Sequence, residues 1–188
     1  MPKIIVAIPF WNSDSGKMDI LKRCLSSLKG QDETIVLAGK QKTLPLAWNM
    51  CCELAFSMGA DYVVVSNDDI ILDRGTLDML AMPNAVVSPM VNNGVFKVFH
   101  AHIFCLPKTI WEKIGPFDER FEVYWSDTDY AKRLKDAGVD VHINTEVNVK
   151  HPEGGRTIKH YKGTADKPDE QKFKEKWGRV WFDPITGV

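Results

Sequence analysis

Long hydrophobic runs, a cysteine framework and a charge excess of either sign are all missing from this sequence. No apolar stretch approaches the roughly 20 residues needed to span a bilayer, so a membrane anchor is not expected. The four cysteines, Cys24, Cys51, Cys52 and Cys105, show no CxxC spacing. Three of them fall inside apolar periodic segments, where a free thiol packs as a small hydrophobe, so all four read as reduced and structural. The amino-terminal "MPKIIVAIPFWN" has no small-residue cleavage site and reads as a first strand ended by Pro9 and Asn12, which gives a cytoplasmic expectation. A formal net charge of -1 offers no global case for nucleic-acid binding. Internal repeats and low-complexity segments are absent too.

What remains is ordinary globular composition, 44% hydrophobic and 26% charged over 188 residues. That length suits one domain able to bury roughly 70% of its unfolded surface. Charge is unevenly placed. Residues 1–149 carry more acid than base, whereas 150–180 carry nine Lys and Arg against five Asp and Glu, so the tail suits an anionic partner.

Periodicity orders the chain. The strand "KIIVAIPF" is followed by a helix with Leu21, Cys24, Leu25 and Leu28 on one face, then by "ETIVLAG", a second helix in "LPLAWNMCCELAFSMG", and "DYVVVS". In the second helix Leu44, Ala47, Trp48, Cys51, Ala55 and Met58 share a face. Strands of unbroken aliphatic character separated by helices predict an α/β fold with a mainly parallel sheet covered on both sides. Further on, the pattern predicts a short helix near Thr76 to Met82, strands in "AVVSPMV" and "VFKVFHAHIFCL", and a helix from Lys108 to Ile114. After the turn "GPFDERF" come a helix from about Asp127 to Ala137, the strand "VDVHINTEVNVKH" and a terminal helix ending in "KFKEKWG". The segment 154–167 is charged and glycine-bearing, and reads as a mobile loop suited to act as a lid.

Ligands of such sheets bind beyond the carboxyl ends of the strands. There the aliphatic run "YVVVSNDDII" breaks into Asn67, Asp68 and Asp69. Adjacent carboxylates at a strand end are costly unless water, donors or a cation compensate them. A solvated polar turn satisfies that need, and so does a hard divalent cation completed by diphosphate oxygens. In "YWSDTDYAKRLKDAG", Ser126 and Asp129 have the spacing of a capping box, and first-turn acids gain about 0.3 to 1 kcal/mol from the helix dipole. Asp127 lies at the edge of the apolar stripe through Tyr130, Ala131 and Leu134, while Asp129 stands i,i+4 from Arg133, the spacing of an exposed ion pair. That places Asp127 towards the protein as the candidate base. His100 and His102 share a strand face, a spacing found in metal hydrolases and, more often, in side chains that simply line a cleft.

Taken in order, these stretches resemble glycosyltransferase family 2, whose members have the single-domain, Rossmann-like GT-A fold. "IIVAIPFWN" resembles the first strand and nucleotide-binding turn. "LPLAWNMCCELAFSMGADYVVVSNDDIIL" resembles the Asn-bearing helix and the strand leading to the DxD motif. "CLPKTIWEKIGPFDERF" resembles the acceptor-side segment, "YWSDTDYAKRLKDAGVDV" the segment with the catalytic acid pair, and "VKHPEGGRT" the strand ending in a metal-binding histidine. The small size resembles a minimal, viral-type member.

The resemblance implies an inverting, metal-dependent transfer of a hexose from a nucleotide diphosphate sugar, a UDP-sugar being favoured, with Mn or Mg as the cation. It implies Asp69 and His151 as metal ligands and Asp127 as general base. Asn67 and Asp68 would hold the ribose and diphosphate side of the donor, and Pro9, Phe10, Trp11 and Asn49 would surround the nucleotide. Arg156 and Lys159 would reach its phosphates. By the same likeness residues 1–100 form the nucleotide-sugar half, 101–150 the acceptor and catalytic half, and 151–188 a basic loop and terminal helix. Two positions depart from the family pattern. Asn67-Asp68-Asp69 replaces Asp-x-Asp, removing a charge, so metal is expected to bind appreciably only with donor. Ser126-Asp127 replaces Glu-Asp, removing a carboxylate that would raise the base's pKa. The acceptor stays open among a saccharide, a protein and a hydroxymethylated DNA base, as does the oligomeric state. The rival readings are a sugar-nucleotide nucleotidyltransferase, an inactive sugar-nucleotide or glycan-binding module, and an HxH metal hydrolase.

Overall fold

Every residue of the first strand, β1 (Ile4–Phe10), is apolar, and its side chains alternate between two cores because successive residues of a strand point to opposite faces. Ile5 and Ala7 join one cluster, while Val6, Ile8 and Phe10 join the other. The computed structural model describes residues 2–11, 16–28, 33–73, 75–92, 101–152 and 166–178. In order, β1 is followed by α1 (Lys17–Ser27), β2 (Glu33–Ala38), α2 (Leu44–Ser57) and β3 (Tyr62–Ser66). A single 3-10 turn (Asp78–Leu80) then leads to β4 (Ala85–Val91), β5 (Ile103–Pro107), α3 (Lys108–Ile114), α4 (Ser126–Asp136), β6 (Asp140–Val149) and α5 (Asp166–Trp177).

The six strands form one mixed, mainly parallel sheet in the order β2-β1-β3-β5-β4-β6. β1 pairs in parallel with both β2 and β3, β4 pairs in parallel with β6, and β5 runs antiparallel between β3 and β4. On one face α2 packs Trp48, Cys51, Cys52 and Ala55 against Val63, Val65, Phe104 and Leu106. On the other, α1 packs Leu21, Cys24 and Leu28 against Val64, Ile103 and Cys105. Val63, Val64 and Val65 are each fully buried, and each contributes about 1.5 to 3 kcal/mol relative to exposure.

The expected strand and helix order holds across the described residues, with local differences. Thr76 to Met82 forms only the 3-10 turn, and Met58 at the end of α2 is exposed rather than in the apolar face. The strand expected through residues 95–106 is seen as β5 only from Ile103: Ala101 and His102 form a turn, so His102 does not share a strand face as expected, and residues 95–100, with His100, lie outside the described residues, as do residues 153–165 with Arg156 and Lys159. Among the described residues no helix is long and apolar enough to cross a membrane.

Candidate active site

Because β1, β2 and β3 are parallel, their carboxyl ends open on one edge of the sheet, and a cleft of about 530 Å³ lies there. Gly39 turns the chain out of β2 with φ 120°, a conformation that side chains rarely adopt, and donates its N–H to the Phe10 carbonyl at 2.9 Å. This draws Lys40 beside Trp11, with Nζ 4.8 Å from the indole centroid. Pro9, Phe10 and Trp11 line that end of the cleft. Asn67, Asp68 and Asp69 line its floor beyond β3.

The compensation of the two aspartates is asymmetric. Lys17, in the first turn of α1, puts Nζ 2.9 Å from Asp68 Oδ2. Asp69 instead meets His151, whose Nε2 lies 3.0 Å from Oδ1. No hydrogen bond forms across that contact, and Oδ1 is buried without a hydrogen-bond donor among the described residues. A buried carboxylate oxygen in this state is costly unless something else satisfies it. Two ligands about 2.1 Å from an octahedral cation and at right angles to one another are about 3.0 Å apart, so the pair has the separation of adjacent metal ligands. Among the described residues no group of three His, Cys, Asp or Glu side chains is placed to hold a metal. A cation placed between Asp69 and His151 would therefore have to draw its remaining ligands from substrate oxygens or water.

Only the tertiary fold unites this pair. An antiparallel bridge joins Ile71 to Lys150, through N–H donation in both directions at 2.9 and 3.0 Å. Asn92, at φ 50°, then clamps His151 from behind: His151 N–H donates to Oδ1 at 2.9 Å, and Nδ2 donates to the His151 carbonyl at 3.3 Å. The His102 ring packs 4.5 Å from that of His151 and lines the cleft.

Asp127 faces the same cleft from the start of α4, half-buried, with Oδ1 accepting the Thr128 N–H at 2.9 Å. The capping box does not form. Trp125, in the left-handed region at φ 64°, occupies the N-cap without a side-chain bond, and buried Ser126 directs its hydroxyl to the Val123 carbonyl. Asp129 also differs from expectation. Its ion pair with Arg133 is present at 3.1 Å, but the carboxylate is fully buried, because α5 covers it and adds Trp177 Nε1 at 2.8 Å and Lys176 Nζ at 2.6 Å. The face that the sequence pattern assigns to solvent is thus an interface with a helix some forty residues further on.

Asn49 does not line the cleft either. It is buried beneath it, donating to the Phe117 carbonyl at 3.0 Å and accepting the Phe117 N–H at 2.8 Å, and so pins the "GPFDERF" turn to α2. Lys17, Asn92 and Asp169 were not singled out by sequence reasoning. Lys17 has a legible context, the first helical turn after β1, whereas Asn92 and Asp169 act through long-range contacts that leave no local pattern.

No known sequence family and no curated protein matches the chain. Solved structures do. A mannosyltransferase, PcManGT from Pyrobaculum calidifontis, in complex with GDP-Man and Mn2+, superposes with a TM-score of 0.68 at 14% identity, over 95% of this chain and 65% of its own. GalNAc-T7 with UDP, GalNAc and Mn2+ gives 0.61 at 9% identity, over 80% and 43%. The viral protein A197 from STIV gives 0.56 at 10% identity, over 79% and 85%. The chain spans less than two thirds of the length of the two glycosyltransferases. At these identities the likeness establishes the fold: this is an α/β protein with the GT-A-like fold of nucleotide-sugar glycosyltransferases.

Proposed function

We propose that the protein is an inverting glycosyltransferase of the family 2 type, moving a hexose from a nucleotide diphosphate sugar to an acceptor hydroxyl. The observation that carries this reading is the convergence of Asp69, His151 and Asp127 on one cleft at the carboxyl ends of β1 to β3, in a GT-A-like fold. Asp69 and His151 hold a divalent cation, Mn or Mg. When bound, it supplies positive charge that stabilises the departing diphosphate. Asn67 and Asp68 take the ribose and diphosphate side, and Lys17, already paired with Asp68, adds a fixed cation there. Trp11 offers a flat surface for the nucleobase. Lys40 and Gln41 stand where an acidic residue is common in the family, and their donors suit the carbonyl oxygens that uracil, thymine and guanine all carry, so a UDP-sugar is favoured by the family resemblance alone.

In the transfer step the acceptor oxygen attacks the anomeric carbon while Asp127 takes its proton. The bond from that carbon to the phosphate oxygen breaks, and the nucleoside diphosphate leaves with the electron pair. One displacement inverts the anomeric centre and calls for no second carboxylate as nucleophile. Residues 1–100 then act as the donor half and 101–150 as the acceptor half. The acceptor class is a saccharide, a protein or a modified DNA base.

The test is a panel of nucleotide sugars with Mn, with and without candidate acceptors, scored by released nucleotide. Nucleoside diphosphate release supports transfer. Binding of donor without release identifies a binding module, and pyrophosphate released from a nucleoside triphosphate identifies a nucleotidyltransferase.

A further inference from the structure

The carboxylate of Asp169, on α5, is fully buried and lies behind the cleft wall formed by residues 122–124. Three consecutive backbone N–H groups donate to it. Glu122 bonds both oxygens at 2.9 and 3.0 Å, and Val123 and Tyr124 bond Oδ2 at 2.9 and 3.0 Å. Lys172 Nζ adds a contact at 2.8 Å. Successive amides turned onto one anion form a concave nest, a geometry that holds its backbone rigidly because each oxygen is shared. Glu122, Val123 and Tyr124 also line the cleft, and Asp127 follows three residues after Tyr124.

The same face of α5 continues the grip. Positions 169, 173, 176 and 177 recur at helical spacing. Phe173 packs between Phe121 and Trp125, its ring 5.0 Å from the indole, Lys176 pairs with Asp118 and Asp129, and Trp177 bonds Asp129. The segment 118–129, from the end of the acceptor-side turn to the first turn of α4, is thereby fastened at both ends and at its middle. The left-handed Trp125 lies inside it, and a non-glycine residue holds that conformation only where its surroundings over-determine it.

We infer that Asp169 is a positioning residue for Asp127: by fixing the amides of residues 122–124 it sets the wall of the cleft and the direction from which Asp127 meets the acceptor hydroxyl. This rests on the reading of Asp127 as the base. Asp169 touches no reacting atom, and its effect passes through the backbone.

The test combines Asp169→Asn and Asp127→Asn, singly and together, in the full chain with Mn and the donor that the panel identifies. Asp169→Asn is expected to lower kcat by about 10-fold to 10²-fold, as a misplaced reacting group does, with the KM for donor within about twofold. Amide exchange at residues 122–124 should quicken. In the Asp127→Asn background the same substitution is expected to have almost no further effect on kcat, since the group it positions is gone. A merely structural role would multiply the two losses. If Asp169→Asn shows no cooperative melting transition, Asp169→Glu, which keeps the charge one methylene further out, replaces it and must lose kcat only when Asp127 is present. An inactive Asp127→Asn beside a folded Asp169 variant with normal turnover, or losses that multiply, overturns the positioning role alone. Wild-type turnover in Asp127→Asn overturns the base assignment and the positioning role with it.

Discussion

Asp129 accepts a 2.8 Å hydrogen bond from the indole of Trp177, whereas Asp127, two residues earlier on the same helix, faces the cleft. Two aspartates that a capping argument treats alike thus have separate surroundings, one holding α5 to α4 and the other open to the cleft.

The first prediction follows from that separation. Asp127→Asn should melt near wild type and lose on the order of 10²-fold or more in transfer rate, because an amide cannot accept the proton. Asp129→Asn should lose about 2 kcal/mol or more in stability, since Lys176 and Arg133 would face a neutral group in a buried site. Thermal melts and initial rates on the two variants check this; a normally stable Asp129→Asn contradicts it.

Metal binding should depend on Asn92, whose side-chain amide bonds the backbone of His151. Asn92→Ala is expected to weaken Mn-dependent nucleoside diphosphate binding by about 10-fold, as loss of an outer partner of a ligand commonly does. In the wild type, Mn and nucleoside diphosphate together should raise the melting temperature more than either alone. Titration of Mn in the presence of UDP measures the first effect and differential scanning fluorimetry the second.

Asp118 gives the chain a pH dependence of definite sign. Hydrogen bonds from Arg120, with a further contribution from Lys176, hold its carboxyl well below the usual carboxylate range, against the opposing effect of partial burial. A carboxyl depressed in the native state stabilises the fold fully above its unfolded pKa of about 3.9, and the benefit fades as pH falls from there through the native value. The melting temperature of wild type minus that of Asp118→Asn should therefore be level near neutrality and shrink progressively below about pH 4. A difference that grows on acidification contradicts the assignment.

The thiols should be inert in the folded protein. Burial raises Cys24 and Cys51 to about 12, and raises Cys52 and Cys105 as well; for Cys24 the nearby Asp68 and Asp69 add to the effect. Iodoacetamide at pH 8 should label none of the four until the chain is unfolded, a result that mass spectrometry reads directly.

The order of strands and helices, the two-sided covering of the sheet and the location of the cleft at Asn67-Asp68-Asp69 were legible in the sequence. Each rests on short-range periodicity: an aliphatic strand buried on both faces, a helix with its apolar stripe, a polar break where a parallel strand ends. The antiparallel placement of β5 between β3 and β4 was not legible, because a buried strand carries the same apolar run whichever way it is paired. Nor was the burial of Asp129, since helical periodicity marks which residues share a face and cannot say what another helix later lays upon it. Asn49 carried a family resemblance to a nucleotide contact, yet its amide satisfies the backbone of Phe117 instead. Asp69 and His151 were nameable one by one, but their 3.0 Å approach depends on the Ile71 to Lys150 bridge and the Asn92 clamp, which are contacts between segments distant in the chain. Local pattern is set by the chemistry of neighbouring residues and can be read along the chain. The meeting of a carboxylate, an imidazole and a buried nest of amides is decided by packing, and only the folded protein holds it.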